Sequence, residues 1–460
     1  MVDFTILGGV IAAITLFSIY RALPTRYKRA ASPQDDRYQV LVLGDIGRSP
    51  RMQYHALSIV RCGAKVDLVG YNDSPRHPGL EGSPLACVYP LSPTPRWLQW
   101  RYVGLLLKAL WQSFNLFYTL AYSVPAAKWI IIQNPPSIPT FHIAYLVALL
   151  RGSRIMVDWH NYGHTIMQVS HSKRPLLGRL YKRYETFFGR LIPDISVTVT
   201  DAMARDLKDP PFSLRMPILT MHDRPAEIFQ PIASQDERRR FLSRLPETRD
   251  YADKIMKAET RLVVSSTSWT PDEDFQTLLD ALLLYGGSPA VNHEGPPAGD
   301  ITKRPPLLVV ITGKGPDKAS FEVEIASLKS KGHLPLVNIK TAWLSMEDYA
   351  TLLACADIGV CLHESSSGLD LPMKVVDMFG AGLPVLAYNA YASAGELIKD
   401  GVNGGGFREP GKLTAGLELY LGEGSEENYR NIKEGALEEG KRRWDDEWEG
   451  AVGKALGLVV

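Results

Sequence analysis

The chain has almost no excess of charge of either sign: 51 Lys and Arg stand against 50 Asp and Glu, a formal charge of +1. Without a basic surplus there is no bulk electrostatic footprint for nucleic acid, and that class of partner is set aside. Cysteine is scarce as well, four in 460 residues, with no CxxC pair. Cys62, Cys87, Cys355 and Cys361 are too few for a disulfide framework in a chain this long, so reduced thiols in a cytosolic domain fit best. Cys355 and Cys361 fall in the apolar stretch LLACADIGVCLH and read as small buried hydrophobes. Hydrophobic content of 45% and charged content of 22% are those of an ordinary globular protein. They argue against a polytopic membrane protein and against wholesale disorder. The length favours two or three domains rather than one small module.

One long uncharged run breaks this pattern. Phe4 to Tyr20, FTILGGVIAAITLFSIY, holds 17 residues without a charge, and as a helix it would span roughly 26 Å. No basic residue precedes it, whereas Arg21, Arg26, Lys28 and Arg29 follow. The positive-inside rule then puts the rest of the chain in the cytosol, and the order of charge and apolar run is the reverse of a cleaved signal peptide. A membrane anchor with a basic collar is expected over 1–30.

From Tyr38 onward, short apolar runs alternate with glycine turns and helical stretches, the pattern of parallel sheets with crossover helices. Strands are predicted at Lys65–Gly70, Trp129–Gln133, Arg154–Trp159, Ile195–Thr200 and Arg215–Leu219, with a helix over Pro50–Arg61. A polar stretch, ASQDERRRFLSRLPETRDYADK, interrupts this series. Strands then resume at Arg261–Ser265, Leu307–Thr312, Val337–Lys340, Ile358–Leu362 and Val385–Tyr388. The predicted domains are 38–225, a linker over 226–257, 258–430, and a terminal helix over 431–460 that crosses back, with Trp444 and Trp448 on one face. Gly286 to Pro306 lacks periodicity and reads as a flexible surface loop. Trp97 to Tyr122 is rich in Trp, Phe and Leu but carries Arg101 and Lys108, so it reads either as a core helix or as one lying in a membrane interface.

Four motifs carry chemistry. GDIGRSPRMQYHAL, from Gly44, is a glycine turn between strand and helix, where free backbone N–H groups and the helix dipole favour an anion beside Asp45, Arg48 and Arg51. It is not GxGxxG, so a dinucleotide-binding fold and an oxidoreductase are weakly supported. In VDWHNYG a strand ends at Asp158 and His160, where ligands of open α/β sheets bind. His160 is a candidate general base held by a carboxylate, or a hydrogen-bonded core histidine. VVITGKGP places Lys314 between glycines at the mouth of a strand. HESSSGLDLPMKVVDMFGAGLPV combines Ser366, Ser367 and Gly368 with a helix begun by Pro372 that carries Lys374 and Asp377. Hydroxyls and helix N–H groups there suit a diphosphate, and Asp377 suits ribose hydroxyls. Asp272-Glu273-Asp274 resembles a DxD metal motif but reads better as the cap of the following helix.

Together GDIGRSPRMQYHALS, QNPPSIPT, DWHNYGHTI, SSTSWTPDEDFQTLLDAL, ITGKGP, WLSMEDYATLLACADIGVCLH and SSSGLDLPMKVVDMFGAGLPV resemble the chitobiosyldiphosphodolichol beta-mannosyltransferases. The resemblance implies a GT-B fold, two facing Rossmann-like α/β domains after one N-terminal transmembrane helix, with the nucleotide sugar in the second and no metal required. It implies GDP-mannose as donor, dolichol-linked chitobiose as acceptor, a beta-1,4 product, the endoplasmic reticulum membrane as location, and a complex with later mannosyltransferases. Inversion needs a base for the acceptor hydroxyl, His160 oriented by Asp158 or, second, Glu364. Lys314, Lys374, Ser366, Ser367, Gly368 and Asp377 would bind the donor, and Asp45, Arg48 and Arg51 the acceptor diphosphate. The paired acidic motif of GT-B relatives is incomplete here: Leu369 stands eight residues before Asp377, which leaves open what Asp370 and Glu364 do in place of the missing acid. Another GT-B enzyme acting on a polyprenyl-diphosphate sugar, and an inactive membrane-tethered scaffold, are the alternatives.

Overall fold

The computed structural model describes residues 23–95, 97, 104–170, 175–270, 273–288 and 301–459. The run Phe4–Tyr20 and residues 289–300 lie outside them. Among the described residues no helix is long and apolar enough to cross a membrane.

The chain forms two compact units, the first comprising 1–198, 204–221 and 448–460 and the second 199–203 and 222–447. Unit 1 is built on a seven-stranded sheet of order β3-β2-β1-β4-β5-β6-β7. Its strands are β1 (Arg37–Asp45), β2 (Lys65–Tyr71), β3 (Ala86–Pro90), β4 (Trp129–Asn134), β5 (Arg154–Trp159), β6 (Ile195–Thr198) and β7 (Ile218–Thr220). Every pairing is parallel. Strands covered on both faces need side chains that are apolar throughout, which is why they read as runs such as WIII and VLVL rather than as alternations. Helices α1 (Pro50–Arg61), α2 (Leu105–Tyr118), α3 (Thr140–Arg151), α4 (Gly163–Ser170) and α5 (Pro175–Leu191) belong to this unit. Pro50 opens α1, where its missing N–H costs no hydrogen bond.

Unit 2 repeats the design with a six-stranded sheet of order β10-β9-β8-β11-β12-β13. The strands are β8 (Arg261–Thr267), β9 (Leu307–Gly313), β10 (Val337–Ala342), β11 (Ile358–Cys361), β12 (Val385–Tyr388) and β13 (Gly404–Phe407), again all parallel. The stretch expected as a linker is instead part of this unit. Helix α6 (Gln235–Arg244) and the short helix Ala252–Met256 after it, with Leu245 between them, bury Phe241, Leu242, Leu245, Ala252 and Ile255 in the core that also holds Leu262 and Val264. Its charges misled the sequence reading because only one face of α6 is polar. Further helices α7 (Phe275–Tyr285), α8 (Met373–Gly380) and α9 (Glu426–Lys441) complete the elements used below. Helix α9 belongs to unit 2, and from Trp448 the chain belongs to unit 1, so the range 431–460 is not one helix.

Candidate active site

In unit 1 the chemistry gathers on Asp158, at the carboxyl end of β5 and fully buried. Arg51 holds it with two donors, Nε to Oδ2 at 2.8 Å and Nη2 to Oδ1 at 3.1 Å. His55 Nε2 reaches Oδ2 at 2.9 Å and His160 Nε2 reaches the same oxygen at 3.0 Å. Arg51 and His55 stand four apart on α1, so one helix face delivers both to the strand end. Burial alone would raise the Asp158 carboxyl, but Arg51 and His160 reverse this and hold it well below the usual carboxylate range. Burial pushes His55 down, toward the neutral ring. Trp448 Nε1 donates to His55 Nδ1 at 3.0 Å, so the ring proton of His55 is on Nε2 and points at Asp158.

The same logic applies to His160. With an anionic acceptor facing its Nε2, the proton of the neutral ring lies there, and Nδ1 keeps a lone pair. His160 is part-buried, its side chain 23% exposed. A second buried carboxylate fixes the loop it stands on. Glu185 of α5 accepts from the backbone of Gly163 at 2.9 Å and of His164 at 3.2 Å, and pairs with His164 Nδ1 at 2.6 Å. It also takes Asn134 Nδ2 at 3.1 Å, which ties the QNPPS turn after β4 to the DWHNYG turn after β5.

The glycine turn after β1 departs from expectation. Arg51 is committed to Asp158 and only 5% exposed, so its charge is spent inside the unit rather than offered to an acceptor diphosphate. Asp45 likewise serves its own turn: Oδ1 accepts from the backbone of Gly47, Asp73 and Ser74, each at 3.2 Å. These bonds, with the Ser74 hydroxyl foremost, hold its carboxyl below the ordinary value. Arg48 does project, its side chain 82% exposed, with its Nε 3.3 Å from Ser74 Oγ.

In unit 2 the groups collect where the strand order reverses, between β8 and β11, the place where open α/β sheets bind ligands. Glu273, after β8, is 4% exposed and takes the Ser268 N–H at 2.8 Å, the Ser268 and Thr267 hydroxyls, and the Lys374 ammonium of α8. It is therefore an ion-pair partner rather than a helix cap. Asp274 alone caps α7, its Oδ1 accepting from Gln276 and Thr277, and Asp272 lies outside the described residues. The GKG turn after β9 is locked onto this loop. A Cβ on Gly313 would lie 1.8 Å from Thr267 O, and one on Gly315 would lie 1.9 Å from Ser268 O. Trp269, next in that loop, is fully buried with φ of 50°, a strained value for a bulky residue and of the kind that clusters at ligand sites. Lys314 projects from the GKG turn, its ammonium 5.2 Å from the centre of the Trp343 ring.

The serine loop is shaped by its own side chains. Asp370 accepts from the Ser365 hydroxyl and from Ser367 Oγ at 3.3 Å, with His363 Nε2 3.7 Å away. Burial would raise Asp370, but His363 and Ser365 bring it below the ordinary value. Gly368, at φ 74°, turns the chain where a side chain would be strained. Asp370 thereby acquires a role that the sequence left open, as the brace of the loop. Ser366 and Glu364 are exposed at its surface. On α8, the Asp377 carboxyl has no hydrogen bond among the described residues, and burial together with the charge of Asp223 pushes it up to about 8. Asp201, His222 and Glu396 form a group with metal-ligating atoms within 4.8 Å. Both Glu396 oxygens, however, accept backbone N–H bonds from Asp201 and Ala202 at 2.7 Å, which makes Glu396 a helix cap.

The same architecture of two parallel α/β sheets occurs in solved structures. Sucrose-phosphate synthase from Thermosynechococcus elongatus matches with a TM-score of 0.63 at 13% identity, covering 92% of this chain and 97% of that one. Anabaena HepE, solved in complex with UDP and glucose, matches with a TM-score of 0.60 at 12% identity, covering 92% and 100%. The fold is that of the GT-B glycosyltransferases. No protein-family model matches the chain. Whole-length relatives narrow the class: the chitobiosyldiphosphodolichol beta-mannosyltransferase of Arthroderma benhamiae is 41% identical over 445 residues, 95% of each chain. That of Mus musculus is 38% identical, over 90% of this chain and 87% of its own. A protein of Arabidopsis thaliana described as UDP-glycosyltransferase TURAN is 39% identical, over 92% of this chain and 97% of its own. The chain belongs to the chitobiosyldiphosphodolichol beta-mannosyltransferase family.

Proposed function

We propose that this glycosyltransferase moves mannose from GDP-mannose to N,N′-diacetylchitobiosyl-diphosphodolichol with a beta-1,4 bond, the first mannosylation in building the lipid-linked oligosaccharide for N-glycosylation. Family membership supports the reaction. The observation that carries the mechanism is His160 held through Nε2 by the buried Asp158. Its Nδ1 takes the proton of the acceptor 4-hydroxyl as that oxygen attacks the anomeric carbon, and the bond to phosphate breaks on the opposite side with its electrons going to GDP. One displacement inverts the alpha donor to a beta product, and no covalent nucleophile is required.

On unit 2, Lys314 and the start of α8 would meet the charge that grows on the departing diphosphate, and Asp377 would accept from the ribose. Lys374 contributes through Glu273, and Ser366, Ser367 and Gly368 line the loop above. Arg48 remains the cation of the first turn for the acceptor diphosphate. Glu364 is the second candidate base. No step in this scheme asks for a metal. The uncharged Phe4–Tyr20 and the basic collar after it support a single-pass anchor in the endoplasmic reticulum membrane, with both units in the cytosol, where later mannosyltransferases could assemble with it.

A second reading concerns the donor, because the Arabidopsis relative is described as a UDP-glycosyltransferase. The test is transfer to a short-chain chitobiosyl-diphosphate lipid from GDP-mannose, UDP-glucose and UDP-N-acetylglucosamine offered separately. The proposal expects one added hexose, beta-linked by NMR, from GDP-mannose alone. Transfer from a UDP-sugar only would replace the donor assignment.

A further inference from the structure

Unit 1 carries an apolar surface that its own packing leaves uncovered. On α2, Leu107, Leu110, Phe114 and Tyr118 recur at three- and four-residue steps and are all exposed, Phe114 to 64%. The inner side of the same segment is buried at Leu116 and Leu120. The sequence reading left this stretch between core and interface, and the helix has one face of each kind. Helix α3 lies beside α2 and exposes Leu146 and Leu149. Helix α5 lies beside α3, tied by His142 Nδ1 to the Tyr184 hydroxyl at 2.6 Å, and exposes Leu176, Leu180, Phe187 and Leu191 along one stripe. A cavity of about 300 Å³ lined by Leu149 and Leu191 joins the last two stripes.

The charged side chains exposed on the three helices have one sign, and the exposed acid at the rim of the cavity, Asp194, is paired with Arg154 at 3.3 Å. Arg179, Lys182, Arg183 and Arg190 flank the apolar stripe of α5, and all four are exposed. The sole acid on the three helices, Glu185, is fully buried and paired with His164. Apolar side chains between arginines and lysines, with no exposed acid on the helices themselves, are what a helix lying in an anionic lipid surface requires. The chain's own course points to the same partner. Arg151, at the end of α3, donates to Thr25 O at 3.0 Å and to Val124 O at 2.7 Å, and its carbonyl takes the Tyr27 N–H at 2.7 Å. The segment that follows the uncharged run Phe4–Tyr20 is thus pinned to the ends of α2 and α3.

We propose that the exposed face of α2, α3 and α5 rests in the headgroup and upper acyl region of a bilayer containing anionic phospholipid, a second membrane contact distinct from the N-terminal run. The contact does not depend on which donor or acceptor the enzyme uses, and it shares with the proposed function only the bilayer.

The test uses the full chain in vesicles of phosphatidylcholine with phosphatidylserine, in a background with Cys62 and Cys87 replaced by serine. A bimane label is placed at Phe187→Cys, at Phe114→Cys, or at Lys329→Cys of unit 2 as control, and is quenched by lipids brominated on the upper acyl chain. Quenching of about twofold or more at 187 and 114, and none at 329, is expected. Reversing Arg179, Lys182 and Arg183 to glutamate should lose quenching at 187 while the protein still floats with the vesicles. Protein that floats but shows no more quenching at 187 than at 329 overturns the proposal, as does protection of 187 by a second copy of the chain in lipid-free detergent. Failure to float at all would contradict this contact and the anchor together.

Discussion

His160 Nε2 lies 3.0 Å from Asp158 Oδ2, and the oxygen that takes it also takes His55 Nε2 and Arg51 Nε. One buried carboxylate therefore sets the tautomer of two histidines and neutralises one guanidinium. Removing its charge should do more than misplace His160. In Asp158→Asn the Arg51 side chain, 6% exposed, is left without its counter-ion, and breaking such a buried pair costs about 3–5 kcal/mol. The expected result is a marked fall in thermal midpoint together with a loss of turnover of about 10²-fold or more. Adding Arg51→Gln should return part of the stability and none of the turnover. A single variant as stable as the native chain would show that the cluster is not charged as described.

The two lysines of unit 2 should separate by readout. Lys374 pairs with the buried Glu273, whereas Lys314 is exposed on Trp343. Lys374→Ala leaves a buried carboxylate unpaired and should lower stability by about 3 kcal/mol as well as activity. Lys314→Ala should weaken donor binding and turnover with the thermal midpoint nearly unchanged. Calorimetric melting beside donor titration checks both. Equal losses of stability would contradict the assignment.

Asp377 gives a pH signature. Its carboxyl is held up to about 8 in the fold, against about 3.9 in an unfolded chain. The folded state therefore binds this proton more tightly. The stability it confers is complete below pH 4 and is lost as pH rises toward 8. Asp377→Asn should melt no higher than the native chain near pH 4.5 and roughly 3 °C or more above it at pH 8.5. If ribose hydroxyls donate to the ionised form, donor affinity should rise over the same interval in the native protein and stay flat and weaker in the variant. Melting curves that remain parallel across this range would remove the raised carboxyl.

The GKG turn makes a steric prediction. Gly315→Ala would put a methyl group 1.9 Å from Ser268 O, and backbone cannot yield as a flexible side chain does. A loss of about 2–3 kcal/mol is expected, with donor binding falling because the loops that present Lys314 and Glu273 separate. Gly395→Ala, with no atom within 4 Å of the added carbon, is the matched control and should be neutral. Chemical denaturation of the two variants decides the point.

The sheets were largely legible because buried parallel strands leave unbroken aliphatic runs. Arg154–Trp159, Val385–Tyr388 and helix Pro50–Arg61 carry the bounds read from the sequence. What escaped had other chemistry. Strand β3 is a half-exposed edge, and β13 is GGGF, whose glycines are demanded by closeness to β12: a Cβ on Gly404 would lie 1.9 Å from Val385 O. The contact of Asp158 with His160 was legible because the two stand in one short motif. Partners distant in sequence were not. Glu185, Trp448 and the pairing of Glu273 with Lys374 are long-range contacts that no local spacing encodes. His55 alone left a trace, four residues after Arg51 on the same helix face. Arg51 itself was misread because an arginine beside a glycine turn suggests an anion site, and nothing local reveals that a buried carboxylate 107 residues away already holds it.

The most direct measurement is turnover and donor dissociation constant for His160→Ala, with GDP-mannose and a short-chain chitobiosyl-diphosphate lipid. The account predicts a fall in kcat of about 10²-fold or more, a donor Kd within about twofold of the native value, because only the acceptor's proton has lost its base, and an unchanged thermal midpoint. Native turnover in His160→Ala, with turnover abolished instead by Glu364→Gln, would contradict it.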